Sequence, residues 1–211
     1  MKNLNLTQTL QDHLDKKGSF DQTLTICFSP EGAEEIRAAI KNQNDFTSKQ
    51  LIKNVQTIDS YLIDKIKEDK EICYPWDFME AFYDKKIKNK LTEVTKQKFY
   101  IAMNVIKSGR VAEGDGLENI LKYYDRLYNK NFTVALLFLI DLIKAYDLYK
   151  ENNFKLDWED IKHKSLSSEV VFPPKVLLMV NQAQYYSPLE WLVINKLISV
   201  SQSIHLAASK I

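Results

Sequence analysis

Complete helix-start signals, each followed by apolar residues at helical spacing, constrain the fold of this 211-residue sequence most strongly. Thr47-Ser48-Lys49-Gln50 has the form of a capping box, in which side chains satisfy the exposed N–H groups of a first helical turn. Ser187-Pro188-Leu189-Glu190 has the same form and adds a proline at the first helical position. Apolar residues then recur every three or four positions over 51–66 and 191–204. This spacing predicts a long amphipathic helix in each place.

The most hydrophobic segment, 132–149, is also predicted to be a helix. Its unbroken apolar run, Val134–Ile140, is far shorter than the roughly 18 to 20 residues that cross a bilayer. Asp141, Lys144 and Asp147 interrupt the continuation of this run. We therefore expect a central buried helix here, and no membrane span.

One segment alternates as a strand does. Over Thr23–Phe28 the large apolar residues Leu24, Ile26 and Phe28 occupy every second position, which places them on one face of an extended chain. The expected pairing partner is Glu169–Phe172, because it is β-branched and is followed by two prolines, which suit a sheet edge. The sequence therefore predicts a minor two-stranded β element.

The predicted fold class is all-α. The helical patterns, including one that opens at Pro174 and runs to Val180, add up to a compact irregular bundle of about eight or nine helices. The length suits a single helical domain over 1–211. Three of the five glycines lie in 109–116, so a hinge or lobe boundary is expected there.

Charge and cysteine content exclude several classes of partner and compartment. The 29 basic and 28 acidic residues leave a net charge of +1, so no overall field favours nucleic acid or an anionic membrane. Cys27 and Cys73 lack the spacing of a zinc site and are interpreted as buried thiols in a reducing compartment. The first residues carry no secretory signal, so a cytoplasmic location is predicted, with export by a specialised system left open.

One acidic set has the spacing of a metal site. Asp77, Glu80 and Asp84 are three and four residues apart, which places their carboxylates along one face of the helix expected after Pro75. Such a stripe could bind a divalent cation, as in magnesium-dependent helical enzymes that act on diphosphates. Those enzymes need a second acidic helix opposite the first. A solvated helix face explains the same residues without a metal.

Tyrosine is abundant, with 11 residues that include two adjacent pairs. Neighbouring helical residues point about 100° apart, so each pair should have one ring in the core and one at the surface. Exposed tyrosine is favoured at protein interfaces. Tyr123, Tyr185 and Tyr186 are therefore the candidate protein-binding residues, and core packing explains most of the tyrosines equally well.

These observations favour a non-enzymatic function. The sequence has no G-x-S-x-G, C-x-x-C or phosphate-binding glycine motif, and no stretch carries a motif that identifies a family. We therefore expect a protein-binding module without a cofactor, such as an adaptor, an inhibitor or immunity protein, or a secreted effector. The alternative is a divalent-metal-dependent helical hydrolase or transferase, using Mg²⁺ on a phosphorylated small molecule. The oligomeric state stays open.

Overall fold

The protein forms two compact units in the computed structural model. The first unit comprises 1–66 and 164–211, and the second comprises 67–163. The predicted boundary near 109–116 lies outside the described residues, so the single-domain organisation stays a prediction. The residues that the structure describes are 4–16, 18–66, 70–74, 77–78 and 133–207.

Helices and strands alternate along much of the described chain. In chain order the elements are α1 (Leu4–Asp15), β1 (Thr23–Cys27), α2 (Pro30–Lys41), α3 (Ser48–Asn54), β2 (Val55–Thr57), α4 (Ile58–Ile66), β3 (Glu71–Ile72), α5 (Thr133–Asn152), β4 (Lys155–Leu156), α6 (Trp158–Ser165), β5 (Lys175–Asn181), α7 (Pro188–Ile198) and β6 (Ser201–Ala207). Strands of the first unit form one parallel sheet in the order β2-β1-β5-β6. β3 and β4 form a separate two-stranded parallel ladder.

The all-α prediction is wrong, because the first unit is a mixed α/β structure built on this four-stranded sheet. β5 occupies the segment that was predicted to be a helix from Pro174 to Val180. Its last five residues are buried. A strand buried on both faces is apolar at successive positions, so it lacks the alternation that identifies a strand in a sequence.

Two predicted long helices are each interrupted by a strand. The helix expected over 51–66 divides into α3 and α4, with β2 between them, and the helix expected over 191–204 ends at Ile198 before β6 begins. In both places the strand pairs with a neighbour in the sheet, and this tertiary pairing overrides the local helical spacing.

The strand predicted at Thr23 is confirmed as β1, but its predicted partner is wrong. β1 pairs with β2 and β5 instead of Glu169–Phe172. It is a central strand, so all five of its residues are buried. On one face of the sheet its Cys27 packs in a core that includes Leu10 of α1, Ile36 of α2 and Met179 of β5.

In the second unit, α5 confirms the helix predicted at 132–149. Its Tyr146 is fully buried, makes an edge-on ring contact with Phe78 at 5.4 Å, and donates a hydrogen bond to the carbonyl oxygen of Cys73 at 3.3 Å. None of the described helices is both long enough and apolar enough to cross a membrane.

Candidate functional site

The carboxyl ends of β1 and β5 lie side by side at a reversal in the order of the sheet. From β1 the chain crosses through α2 to β2 on one side, whereas from β5 it crosses through α7 to β6 on the other. Parallel crossovers are right-handed, so these two helices cover opposite faces of the sheet, and the strand order reverses between the two strand ends. Open α/β sheets bind their ligands at such a switch point.

Two exposed aromatic side chains lie at this point, and we call them the aromatic patch: Phe28, directly after β1, and Tyr185, four residues after β5. Phe28 is 44% exposed and Tyr185 is 52% exposed, and their ring centroids are 5.5 Å apart. Side chains of this size are normally covered by the core. The patch therefore presents two adjoining rings to solvent at the switch point of the sheet.

Tyr186 supports the patch from below. It is only 7% exposed, its ring meets Phe28 edge-on at 5.6 Å, and it also makes an edge-on contact with Trp191 at 6.4 Å. Its hydroxyl donates to the carbonyl oxygen of Ile26 at 3.3 Å, and burial raises the pKa of Tyr186 above its usual range. The ring under Phe28 is therefore fixed to strand β1.

The adjacent pair Tyr185-Tyr186 divides between surface and core, as the sequence predicted, but not because of helical geometry. Tyr185 ends a single-turn 3-10 helix, Ala183–Tyr185, and Tyr186 is extended. Gln182, which starts this turn, has φ 55° and ψ 44°, in the left-handed region. Such strain in a non-glycine residue persists only where surrounding structure enforces it, and it is concentrated at functional sites.

The helix N-termini beside the patch are already capped. At the start of α2 the Ser29 Oγ accepts from the N–H of Gly32 at 3.1 Å, and Ser187 and Glu190 form a complete capping box at the start of α7. A Cβ atom added to Gly32 would lie 3.5 Å from Ser29 Oγ, which is an ordinary contact. The position therefore does not require glycine, as it would if a ligand approached the backbone closely. Glu31, in the first turn of α2, adds negative charge. These features disfavour a phosphate.

The second unit contains a cluster of three carboxylates with the spacing of a metal site. Single oxygen atoms of Asp147, Asp157 and Asp160 all lie within 4.8 Å of one another. The ammonium group of Lys150 lies among them, 3.1 Å from Asp147 and 2.9 Å from Asp157, and it is also bonded to Asp160. We call these four residues the Lys150 network.

Electrostatics in the Lys150 network favour the charged lysine. Burial alone would lower the pKa of Lys150, but the carboxylates of Asp157, Asp160 and Asp147 outweigh it and raise that pKa above its usual range. Asp157 and Asp160 are further held by reciprocal backbone bonds, since each side chain accepts from the other residue's N–H. Lys150 therefore occupies the position that a divalent cation would need, and the network is a structural ion-pair cluster.

The predicted acidic stripe is described only at Asp77. Its carboxylate accepts from the N–H of Tyr74 at 3.2 Å, and its own N–H donates to the Tyr74 carbonyl oxygen at 3.0 Å. This pattern closes a turn. Glu80 and Asp84, like the binding candidate Tyr123, lie outside the described residues, so the metal-dependent alternative stays a prediction.

Sequence reasoning missed two features. The alternation over Thr23–Phe28 places Phe28 on a strand face and carries no signal of its exposure after the end of β1. The Lys150 network had only a partial local signal: Asp147 lies three residues before Lys150 on the same helix, whereas Asp157 and Asp160 lie seven and ten residues after it.

Comparison of the chain with models of known protein families finds no match, and comparison with curated proteins likewise finds none.

Proposed function

We propose that the chain is a protein-binding module and that the aromatic patch is its recognition surface. The observation that carries this proposal is the pair of adjoining rings, Phe28 and Tyr185, each about half exposed at the switch point of the sheet. Aromatic side chains in this state are typical of binding hot spots, because a partner removes a large apolar area from water at little entropic cost.

The patch is also pre-organised. Phe28 follows a fully buried strand, and the anchored Tyr186 ring lies against it. A surface that is already ordered loses little conformational freedom when a partner binds. This rigidity distinguishes the patch from single apolar residues scattered on the surface.

The surrounding charge indicates the chemistry of the partner. Glu31 is exposed in the first turn of α2, which begins two residues after Phe28, whereas the Glu190 carboxylate at the start of α7 already accepts the N–H of Ser187. Carboxylates beside aromatic rings attract lysine and arginine, which also make cation–π contacts with such rings. We therefore expect a basic protein segment as the ligand.

The test is affinity capture from a lysate of the source organism, quantified by mass spectrometry, with wild-type chain and a Phe28→Ala, Tyr185→Ala double variant. We expect at least one protein to be captured by the wild type and lost with the variant. Calorimetric titration of that protein should then give a Kd about 10- to 100-fold higher for the double variant than for the wild type. This change corresponds to roughly 1.4 to 2.8 kcal/mol for hot-spot truncation.

An Ile52→Ala, Leu148→Ala variant is the matched control, because both residues are 57% exposed and lie elsewhere on the chain. It removes exposed apolar area without touching the patch. Equal capture by the wild type and both variants would contradict the proposal, as would a captured partner whose affinity does not depend on Phe28 or Tyr185.

A further inference from the structure

The two edges of the four-stranded sheet differ in how they are protected. At one edge β2 is only three residues long, and Arg37 Nε donates to the carbonyl oxygen of Val55 at 2.9 Å. At the other edge β6 is seven residues long, and no strand in the described part of the chain pairs with its outer side. Its length corresponds to roughly 23 Å of open backbone edge.

β6 lacks the devices that normally keep such an edge from pairing. Its sequence, Ser-Gln-Ser-Ile-His-Leu-Ala, contains no lysine, arginine, aspartate, glutamate or proline. Its register with β5 is constant from the pair Lys175–Ser201 to the pair Asn181–Ala207, so no bulge bends it away. Natural sheets that stay monomeric usually carry charges, proline or bulges at a long edge.

The exposed side chains of β6 are apolar. Ile204 and Leu206 alternate onto one face of the strand, where they are 44% and 50% exposed. On the opposite face Ala207 packs against the core that includes α1. Among the described residues, the backbone edge of β6 therefore has no pairing strand, and the adjoining side chains of Ile204 and Leu206 are about half exposed.

We propose that β6 pairs in antiparallel fashion with β6 of a second copy of this chain, joining two sheets into one of eight strands. A two-fold axis at His205 places Ile204 of each copy opposite Leu206 of the other, on the same face. Directly opposed apolar side chains stabilise a strand pair, whereas like charges would destabilise it. Because β6 has no lysine, arginine, aspartate or glutamate, it can face a second copy of itself without repulsion between such side chains, which is why a second copy fits this edge.

Sedimentation velocity of the full chain, from about 1 to about 200 µM, tests the proposal over the range in which a micromolar dimer dissociates. We expect a concentration-dependent dimer for the wild type. Ile204→Lys and Leu206→Lys should each weaken the dimer at least tenfold, because a lysine at this edge sets two charges close together across the two-fold axis.

Ile52→Lys is the control, since Ile52 is similarly exposed and lies on α3, and it should dimerise like the wild type. The register is tested by cysteine pairs: an Ile204→Cys, Leu206→Cys variant should form an interchain disulfide under mild oxidation, whereas Ile52→Cys should not. A wild type that is monomeric at every concentration overturns the proposal. A dimer that persists unchanged in both edge-lysine variants overturns it as well.

Discussion

The Lys150 network and the aromatic patch differ in how far their side chains are buried and paired. In the network, three carboxylates surround one ammonium group, and the side chains of Lys150 and Asp157 are only 5% and 4% exposed. In the patch, Phe28 and Tyr185 turn apolar rings towards solvent. The charged groups of the Lys150 network pair with one another. The rings of the aromatic patch, in contrast, keep apolar surface that is exposed to solvent.

This contrast shows that residue type alone does not locate a functional site. A carboxylate triplet is typical of a cation site, but here the fold supplies its own cation in Lys150. Two aromatic rings are typical of a core, but here the sheet ends beneath them and leaves them partly uncovered. The informative quantity in both regions is what remains unpaired or unburied after the chain has folded.

Removal of Lys150 should have the largest effect on stability. Lys150→Ala removes the ammonium group that lies 2.9 Å from the buried Asp157 carboxylate, and breaking a buried pair in this way costs about 3–5 kcal/mol of the free energy of unfolding. Urea denaturation followed by circular dichroism measures the change. Lys144→Ala is the control, because Lys144 is exposed on the same helix; an equal, small effect of both substitutions would show that the network is not structural.

Cys27, the last residue of β1, makes the core between the sheet and helices α1 and α2 sensitive to alkali. Burial raises the pKa of its thiol from 9.0 to about 12, so the folded state keeps a proton that the unfolded chain releases above pH 9. The resulting stability is complete below pH 9 and is lost as the pH approaches 12. The loss is roughly 1.4 kcal/mol per pH unit within that window.

The wild type should therefore lose about 2 kcal/mol more than a Cys27→Ala variant between pH 8 and pH 10.5. Urea midpoints of both proteins at the two pH values give this difference, and every other alkaline group cancels because both proteins contain it. If the two proteins lose the same stability, the thiol is not protonated in the fold above pH 9 and its burial is weaker than the structure indicates.

The sequence could predict the parts of the fold that have local causes. The capping boxes at Thr47 and Ser187 are both present, with reciprocal bonds to Gln50 and Glu190, and β1 lies where alternation placed it. Helix starts depend on residues three positions apart, so a short stretch of sequence contains the whole signal.

The sheet could not be predicted in the same way, because its causes are distant in sequence. β5 pairs with β1 across about 150 residues, and its apolar run is compatible with a buried helix as well as a buried strand. Of the candidate site, Tyr185 was predicted from its type and its pairing with Tyr186, whereas its contact with Phe28 depends on that long-range pairing.

The smallest effect on the free energy of unfolding is expected for the adjacent pair Tyr185-Tyr186. Substitutions in this pair also separate a structural role from a binding role. Tyr186→Phe removes the hydroxyl that donates to the Ile26 carbonyl oxygen, so it should lower the free energy of unfolding by about 1 kcal/mol. Tyr185→Phe removes only an exposed hydroxyl and should change stability by less than about 0.5 kcal/mol. Both changes are measured by urea denaturation of variants that differ from the wild type by one oxygen atom. Equal losses would mean that Tyr185 is part of the framework, and the recognition surface would then have to be sought without it.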